Sequence, residues 1–134
     1  MAGHSALIPV QTLVYATLTG DATLKALAPT YDEVPTTAVF PWVLITDIKE
    51  TPDDALGEVG RMLVVGIDAW SQIKGFKELE SIAEEVIRLL DTDQLGNPTG
   101  WQLDHCIYRD GLFDREPDGI TRHVRMNFEM GVHH

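Results

Sequence analysis

The chain has 134 residues, of which 44% are hydrophobic and 23% charged, a balance typical of one globular domain spanning residues 1–134. Ten Lys and Arg residues face 21 Asp and Glu residues, and the formal net charge of -11 argues against a general nucleic-acid binder or a basic membrane-surface module, because both need a cationic face. A single cysteine, Cys106, excludes a disulfide framework within the chain and any multi-cysteine metal site.

The N-terminal segment predicts two helices. Apolar residues at spacings of three and four predict a first helix that begins near Ile8 and ends at Gly20. Asp21 is placed to cap a short second helix, which Pro29 ends. The opening stretch lacks the basic region of a signal peptide, so we expect it to belong to the fold. The predicted buried stripe of the first helix consists of Leu7, Val10, Leu13, Val14 and Leu18.

Two strands follow an irregular or edge stretch over residues 30–37. Residues 40–46 are rich in aromatic and β-branched residues, with Pro41 expected at the strand's start or on an edge. Residues 61–70 form the next predicted strand, which is apolar on both faces and must therefore be covered on both, by its own domain or by another subunit. Its two faces carry Leu63, Val65, Ile67 and Ala69 on one side and Met62, Val64 and Trp70 on the other.

The second half predicts a helix and a long hairpin. Residues 76–90 carry an apolar stripe opposite a charged one, with Glu84 and Arg88 spaced for an ion pair, and residues 91–100 form a polar loop. Two strands then flank a turn at residues 116–119. The order α-(α)-β-β-α-β-β predicts an α+β fold, a mainly antiparallel β-sheet packed on one face by helices.

Two sets of side chains invite a chemical interpretation. His105 and His123 are expected across from each other on the hairpin, and with nearby acids they would form the site of a small intracellular enzyme or ligand-binding domain. Cys106 follows His105, but adjacent strand residues point to opposite faces, so we expect a buried thiol and no catalytic pair. An acidic loop between the first two strands, predicted over Lys49–Gly60, is the second set, and its carboxylates are Asp47, Glu50, Asp53, Asp54 and Glu58. These carboxylates indicate either a solvated, flexible loop or a surface that repels a polyanion.

Most of the chain resembles the tail terminator, or tail completion, proteins of long-tailed phages and gene transfer agents. Four segments carry the resemblance through their order and spacing. They are residues 20–24 (GDATL), residues 40–45 (FPWVLI), residues 68–71 (DAWS) with Gly75 and Ile82-Ala83, and Asp114 with residues 117–123 (PDGITRH). The acidic loop departs from the family pattern.

The resemblance implies a structural, non-enzymatic virion protein without cofactors or metals. Such proteins form a homohexameric ring that caps the head-proximal end of the tail tube, ends tube polymerisation and joins the tail to the neck. The implied partners are other copies, the major tail tube protein, a head-completion protein and DNA passing through the lumen, in the virion and, during assembly, in the host cytoplasm. A head-closure or connector protein of the neck remains the alternative structural role.

A head-to-tail ring needs two different surfaces on each subunit. The second face of the 61–70 strand is expected to supply part of one, through Met62, Val64 and Trp70 together with Trp42. The sheet edge and the long hairpin would supply the other. The acidic loop would line the lumen, where carboxylates repel the phosphates of passing DNA.

Overall fold

The computed structural model describes residues 4–54 and 58–134. Its secondary structure follows the predicted order, with a two-residue strand added in the stretch expected to be irregular or at an edge. The elements are α1 (Leu7–Thr19), α2 (Ala22–Leu27), β1 (Thr30–Tyr31), β2 (Trp42–Pro52), β3 (Gly60–Ser71), α3 (Lys77–Leu90), β4 (Gln102–Arg115) and β5 (Arg122–His133).

The five strands form one sheet in the order β1-β2-β3-β5-β4. Only β1 and β2 run parallel, and the other three neighbouring pairs are antiparallel. Helix α1 packs on β1 and β2, while α3 packs on β3, β5 and β4. The predicted α+β fold, with a mainly antiparallel sheet and helices on one face, is confirmed.

The helices begin and end close to where the sequence places them. The Asp21 side chain accepts a hydrogen bond from the Leu24 N–H at 2.9 Å and so caps α2. Leu7 departs from the predicted stripe, because it stands at the first residue of α1 and remains 36% exposed. Arg88 pairs with Glu85 at 2.8 Å and with Asp21 at 2.9 Å instead of with the predicted Glu84.

The core lies between the helices and one face of β3 and β5. This face is apolar at every second position, as a half-buried strand requires. Its fully buried side chains on β3 are Leu63, Val65, Ile67 and Ala69, and those on β5 include Val124, Met126, Phe128 and Met130. They meet the buried stripe of α3, formed by Leu79, Ile82, Ala83, Val86 and Leu90.

The hairpin of β4 and β5 closes at the predicted turn. Gly119 adopts a positive φ of 73°, which glycine takes without a Cβ penalty. The Asp118 carboxylate accepts hydrogen bonds from the Ile120 and Thr121 N–H groups, both at 2.8 Å. These bonds hold the pKa of Asp118 below its usual value. Within the described ranges, no helix is long and apolar enough to cross a membrane.

Candidate functional site

The sheet face that carries no helix contacts is the candidate functional surface, here called the open face. Its side chains alternate with the buried ones, so register assigns them directly. The open-face residues are Trp42, Leu44, Asp47, Lys49 and Thr51 of β2, Met62, Val64, Gly66, Asp68 and Trp70 of β3, His123, Arg125, Asn127, Glu129 and Gly131 of β5, and His105, Ile107, Asp110, Leu112 and Asp114 of β4.

A row of four neighbouring rings, two pairs of them stacked and the middle pair tilted, crosses one end of the open face. The Phe40 and Trp42 rings stack with centroids 4.2 Å apart, Trp42 and Trp70 lie 6.3 Å apart, and Trp70 stacks on His123 at 4.7 Å. We call these four residues the aromatic row. All four side chains are half-buried. Rings that keep one side accessible offer large apolar area at low entropic cost to a partner.

The four predicted interface residues share this face but form two groups. Trp42 and Trp70 are direct cross-strand partners in the aromatic row. Met62 and Val64 lie toward the other end of β3, and six residues of strand put Val64 about 20 Å from Trp70. Val64 is 38% exposed and Met62 is half-buried. Between the two groups lie Gly66 and Asp68, so the predicted apolar surface is interrupted in its middle.

A hydrogen-bonded charge network fills that middle. The Asp68 side chain is only 6% exposed. The Thr46 hydroxyl donates to Asp68 Oδ1 at 2.8 Å, while Asp68 Oδ2 lies 2.5 Å from His123 Nε2. Arg125 Nη1 lies 3.3 Å from Asp68 Oδ1, and Arg125 Nη2 donates to Asp47 Oδ1 at 2.6 Å. A carboxylate this deeply buried is stable because each oxygen has a charged or polar partner.

Gly66 makes that network possible. It stands on β3 between Arg125 of β5 and Asp47 of β2. A Cβ at Gly66 would come within 2.2 Å of Arg125 Nη2 and 2.3 Å of Asp47 Oδ1. The missing side chain therefore lets the guanidinium cross β3 and join three strands. Sequence reasoning missed this network, although an aspartate at position 68 inside an apolar strand was a visible signal of a buried partner.

The predicted acidic loop is shorter than the sequence indicated. Strand β2 continues to Pro52, because its residues 47–52 pair with β3, so Asp47 and Glu50 belong to a strand and not to a loop. The Glu50 carboxylate accepts hydrogen bonds from the Ala6 N–H at 2.7 Å and the Ser5 hydroxyl at 3.0 Å. Residues 55–57 of the predicted loop lie outside the described residues.

Asp54 is also committed within the chain. It accepts hydrogen bonds from the Gly60 N–H and from Arg61, each at 2.9 Å, and these bonds hold its pKa below the usual value. Asp53 and Glu58 are exposed, and within the described residues their carboxylates have no partner. With Asp104, they border a cavity of about 290 Å³ at the end of the sheet opposite the aromatic row, which we call the acidic end.

The residues of the enzyme interpretation do not come together. His105 pairs with Gly131, and His123 pairs with Asp114. The expectation that the two histidines lie across from each other is therefore wrong. His105 instead lies 2.9 Å from Glu129. Cys106 is buried on the helix side, as expected, and burial raises the pKa of its thiol to about 12. Within residues 4–54 and 58–134, no three metal-ligating side chains gather.

The comparisons with known proteins agree with this geometry. A comparison with curated proteins finds no match. The chain is similar in fold to a solved chain described as "Virion of native gene transfer agent (GTA) particle", with a TM-score of 0.88 and 20% identity over 98% of this chain and 100% of that one. The family model for tail completion protein gp17 matches residues 12–133. The protein therefore belongs to the tail completion protein gp17 family and is a structural protein of the phage tail.

Proposed function

We propose that the protein forms a homohexameric ring on the head-proximal end of the tail tube, where it ends tube polymerisation and joins the tail to the neck. The observation that carries the proposal is the family match over residues 12–133. The similarity in fold to a chain of a gene transfer agent virion supports a role as a virion subunit. Its partners are other copies, the tail tube protein and a head-completion protein, in the virion and, during assembly, in the host cytoplasm.

The open face supports this structural role. It presents the half-buried aromatic row at one end and Met62 and Val64 at the other. In a monomer the apolar rings of this face are partly exposed to solvent, whereas contact with another subunit would bury them. We propose that these side chains contribute to contacts between copies.

Particles that lack the protein test the role directly. Producing cells depleted of the chain should yield tail tubes of uncontrolled length and filled heads without tails, as seen by negative-stain electron microscopy. Cryo-electron microscopy of normal particles should place the chain on the upper rim of the tube. Normal, length-controlled tails in particles without the chain would overturn the proposal.

Substitutions separate the open face from the helix layer. Trp42→Ala with Trp70→Ala should reduce incorporation into particles at least tenfold, because two aromatic contacts are lost. Tyr15→Ala is the matched control, since Tyr15 is an exposed ring on α1. If both variants are incorporated equally and their thermal unfolding is unchanged, the open face does not contribute to the contacts between copies.

The net charge of -11 fits a passage for DNA. We propose that the acidic end faces the lumen, where Asp53 and Glu58 repel phosphates and keep the genome from binding during ejection. The other three carboxylates of the predicted loop contribute less, because Asp47, Glu50 and Asp54 have partners within the chain.

Charge reversal tests the lumen. Asp53→Lys with Glu58→Lys should slow DNA ejection in a salt-dependent manner while particle yield stays normal, because added phosphate contacts release counterions. Glu80→Lys with Glu84→Lys serves as the control, because it makes the same change in charge at exposed positions of α3. Ejection kinetics that stay unchanged at low salt would contradict a lumen position for the acidic end.

A further inference from the structure

Along the outer edge of β4, the backbone groups of the first half have hydrogen-bond partners and those of the second half do not, within the described residues. In the first half, the Leu103 N–H donates to Asn97 Oδ1 at 2.9 Å, and the Tyr108 N–H donates to Asp91 Oδ2 at 3.1 Å. The 91–100 loop therefore supplies partners for main-chain groups that face away from β5. Beyond Tyr108 the loop supplies none within the described residues.

The turn decides which groups of the second half point outward. The Glu116 N–H donates to the Thr121 C=O at 2.8 Å, and inward and outward positions alternate along an antiparallel pair. Because Glu116 directs its N–H toward β5, every odd-numbered residue before it on this half of β4 directs its N–H and C=O groups away from β5. Gly111 and Phe113 are two of these residues. In the part of the chain that the structure describes, these groups have no hydrogen-bond partner.

The opposite edge of the sheet is open in a complementary way. Strand β1 covers only Val43 and Leu44 of β2. The Asp53 N–H donates to the Gly60 C=O at 2.9 Å, so the same alternation turns Pro52, Glu50 and Ile48 outward. Proline has no N–H, so within residues 4–54 and 58–134 the donors of this edge that have no partner are the N–H groups of Ile48 and Glu50.

A groove runs beside this part of β2. It is a cavity of about 270 Å³ between the edge strand and the first turn of α1. The apolar side chains of Leu7 and Ile8 are 36% and 69% exposed there. A strand edge with an apolar wall beside it is the arrangement that accepts an added β-strand. The groove is lined by Leu7, Ile8, Gln11, Asp32, Ile45, Thr46, Asp47 and Ile48.

Strand direction favours a second copy of this chain as the occupant. The four long strands alternate in direction in the order β2, β3, β5 and β4. The two outer strands of this set, β2 and β4, therefore run in opposite directions. A copy related by rotation about a ring axis presents its β4 antiparallel to β2. We propose that residues 111–113 of β4 in one copy pair with Ile48–Glu50 of β2 in the next, with Phe113 opposite Ile48. This pairing rests on the ring proposed above.

The pairing also aligns the layers of the two copies. Phe113 and Ile48 both lie on the helix side of their strands, as their cross-strand partners Val124 and Val65 do. The register that joins outward hydrogen-bonding groups therefore keeps the helix layers on the same side. The Phe113 ring, 38% exposed in the single chain, enters the groove beside Ile8.

The stagger agrees with a closed ring. Within one copy, Phe113 lies level with Val43 through Val124 and Ala69, whereas Ile48 lies level with Val65, because β2 carries a bulge between Ile45 and Asp47. Pairing Phe113 with Ile48 therefore shifts neighbouring copies by the four residues from Ala69 to Val65, or roughly 13 Å. Four strands span about 19 Å, and the ratio gives a strand tilt of about 35°, at the lower end of the roughly 35–45° that closed sheets adopt. The 116–121 turn then comes level with β1 and the aromatic row of the next copy.

Cross-linking tests the register. Leu112 and Lys49 become a directly opposed, non-hydrogen-bonded pair on the open face, where Cα atoms lie about 4.5 Å apart. Leu112→Cys with Lys49→Cys in one full-length chain should form disulfides between copies on oxidation of particles, giving a covalent ladder up to the ring size. Buried Cys106 stays out of the exchange. The single-cysteine variants, and Leu112→Cys with Thr51→Cys, should give at least tenfold less cross-linked product.

A proline variant tests the hydrogen bonds. Phe113→Pro removes an outward N–H without breaking the β4–β5 ladder, whereas Phe113→Ala keeps the N–H and loses only the ring. In the double-cysteine background, Phe113→Pro should reduce the ladder to the single-cysteine level, while Phe113→Ala retains part of it. Unchanged thermal unfolding confirms that both variants fold.

The outcomes separate the two proposals. If the chain sits on the tube rim but neither particles nor concentrated purified protein gives the ladder, or the cross-link joins the chain to a different protein, edge pairing is overturned and the ring role stands. Absence of the chain from particles instead removes the proposed function. A ladder that forms in purified protein would still support pairing between copies.

Discussion

The two faces of the same sheet are held together by different forces. On β3, Val65 is completely buried against the helices, whereas its neighbour Val64 is 38% exposed on the open face. The covered face is apolar along its centre, with the polar side chains of Arg61 and Ser71 near its ends, and the open face combines aromatic rings with the Asp68 charge network. The covered face should therefore determine stability, and the open face should hold its side chains in place for a partner.

Phe128→Ala should produce the largest loss of stability. Phe128 is completely buried on β5, and removing a core phenylalanine ring costs about 3–5 kcal/mol in the free energy of unfolding. Urea denaturation followed by circular dichroism measures the change. The control is Asn127→Ala at the next position on the open face, where the hydrogen bonds of Asn127 to Asp110 and from Arg125 are together worth about 1–2 kcal/mol. Equal losses would mean that the open face also supports the fold.

Asp68→Asn should give the largest effect on the open face. The substitution keeps the shape of the side chain but removes the charge that Arg125 and His123 face, at a cost of about 1.5–3 kcal/mol. Asp110→Asn is the control on the same face, because Asp110 is exposed. An unfolding free energy within 0.5 kcal/mol of the parent, about the range of an ordinary surface change, would show that the network is not structural.

The neighbours Val65 and Val64 give a smaller but closely matched comparison. Val65→Ala removes two buried methyl groups and should cost about 2 kcal/mol of unfolding free energy. Val64→Ala should change stability by less than about 0.5 kcal/mol and should instead lower incorporation into particles. A Val64→Ala variant that unfolds earlier yet assembles normally would contradict the division between the two faces.

The sequence predicted the covered face better than the open one, for a physical reason. Burial of alternate positions leaves a period of two in the sequence, so Val124, Met126 and Phe128 identify themselves without knowledge of their neighbours. The aromatic row depends on register instead. Trp42, Trp70 and His123 meet because the pairing of three strands brings them level. Trp42 and Trp70 are 28 residues apart in sequence, and Trp70 and His123 are 53 apart, so local sequence patterns do not predict these contacts.

The acidic set was mispredicted for a related reason. Composition marked residues 47–58 as a loop, but pairing with β3 extended β2 to Pro52 and drew Asp47 and Glu50 into the strand. Their partners, Arg125 and the Ala6 N–H, lie 78 and 44 residues away in sequence. Long-range polar contacts of this kind follow from the fold and could not be deduced before it.

The smallest effect concerns acid stability on the open face. Hydrogen bonds from Arg109, at 2.5 Å, and then from His105 hold the pKa of Glu129 below its usual value. A carboxyl whose pKa is lower in the folded state stabilises the protein above its unfolded pKa, about 4.3, and loses that contribution as pH falls through the folded value. Glu129→Gln should therefore lower stability at pH 7 by about 0.2–1 kcal/mol, as exposed ion pairs do.

The pH dependence distinguishes this pair from a packing effect. The difference in unfolding free energy between the parent and Glu129→Gln should shrink as pH falls from 5 toward 3, because protonation removes in the parent what the substitution removes in the variant. Glu84→Gln, at an exposed position of α3, is the control and should show no such convergence. A Glu129→Gln difference that stays constant down to pH 3 would assign the loss to side-chain packing, and the open face would then depend on contact more than on charge.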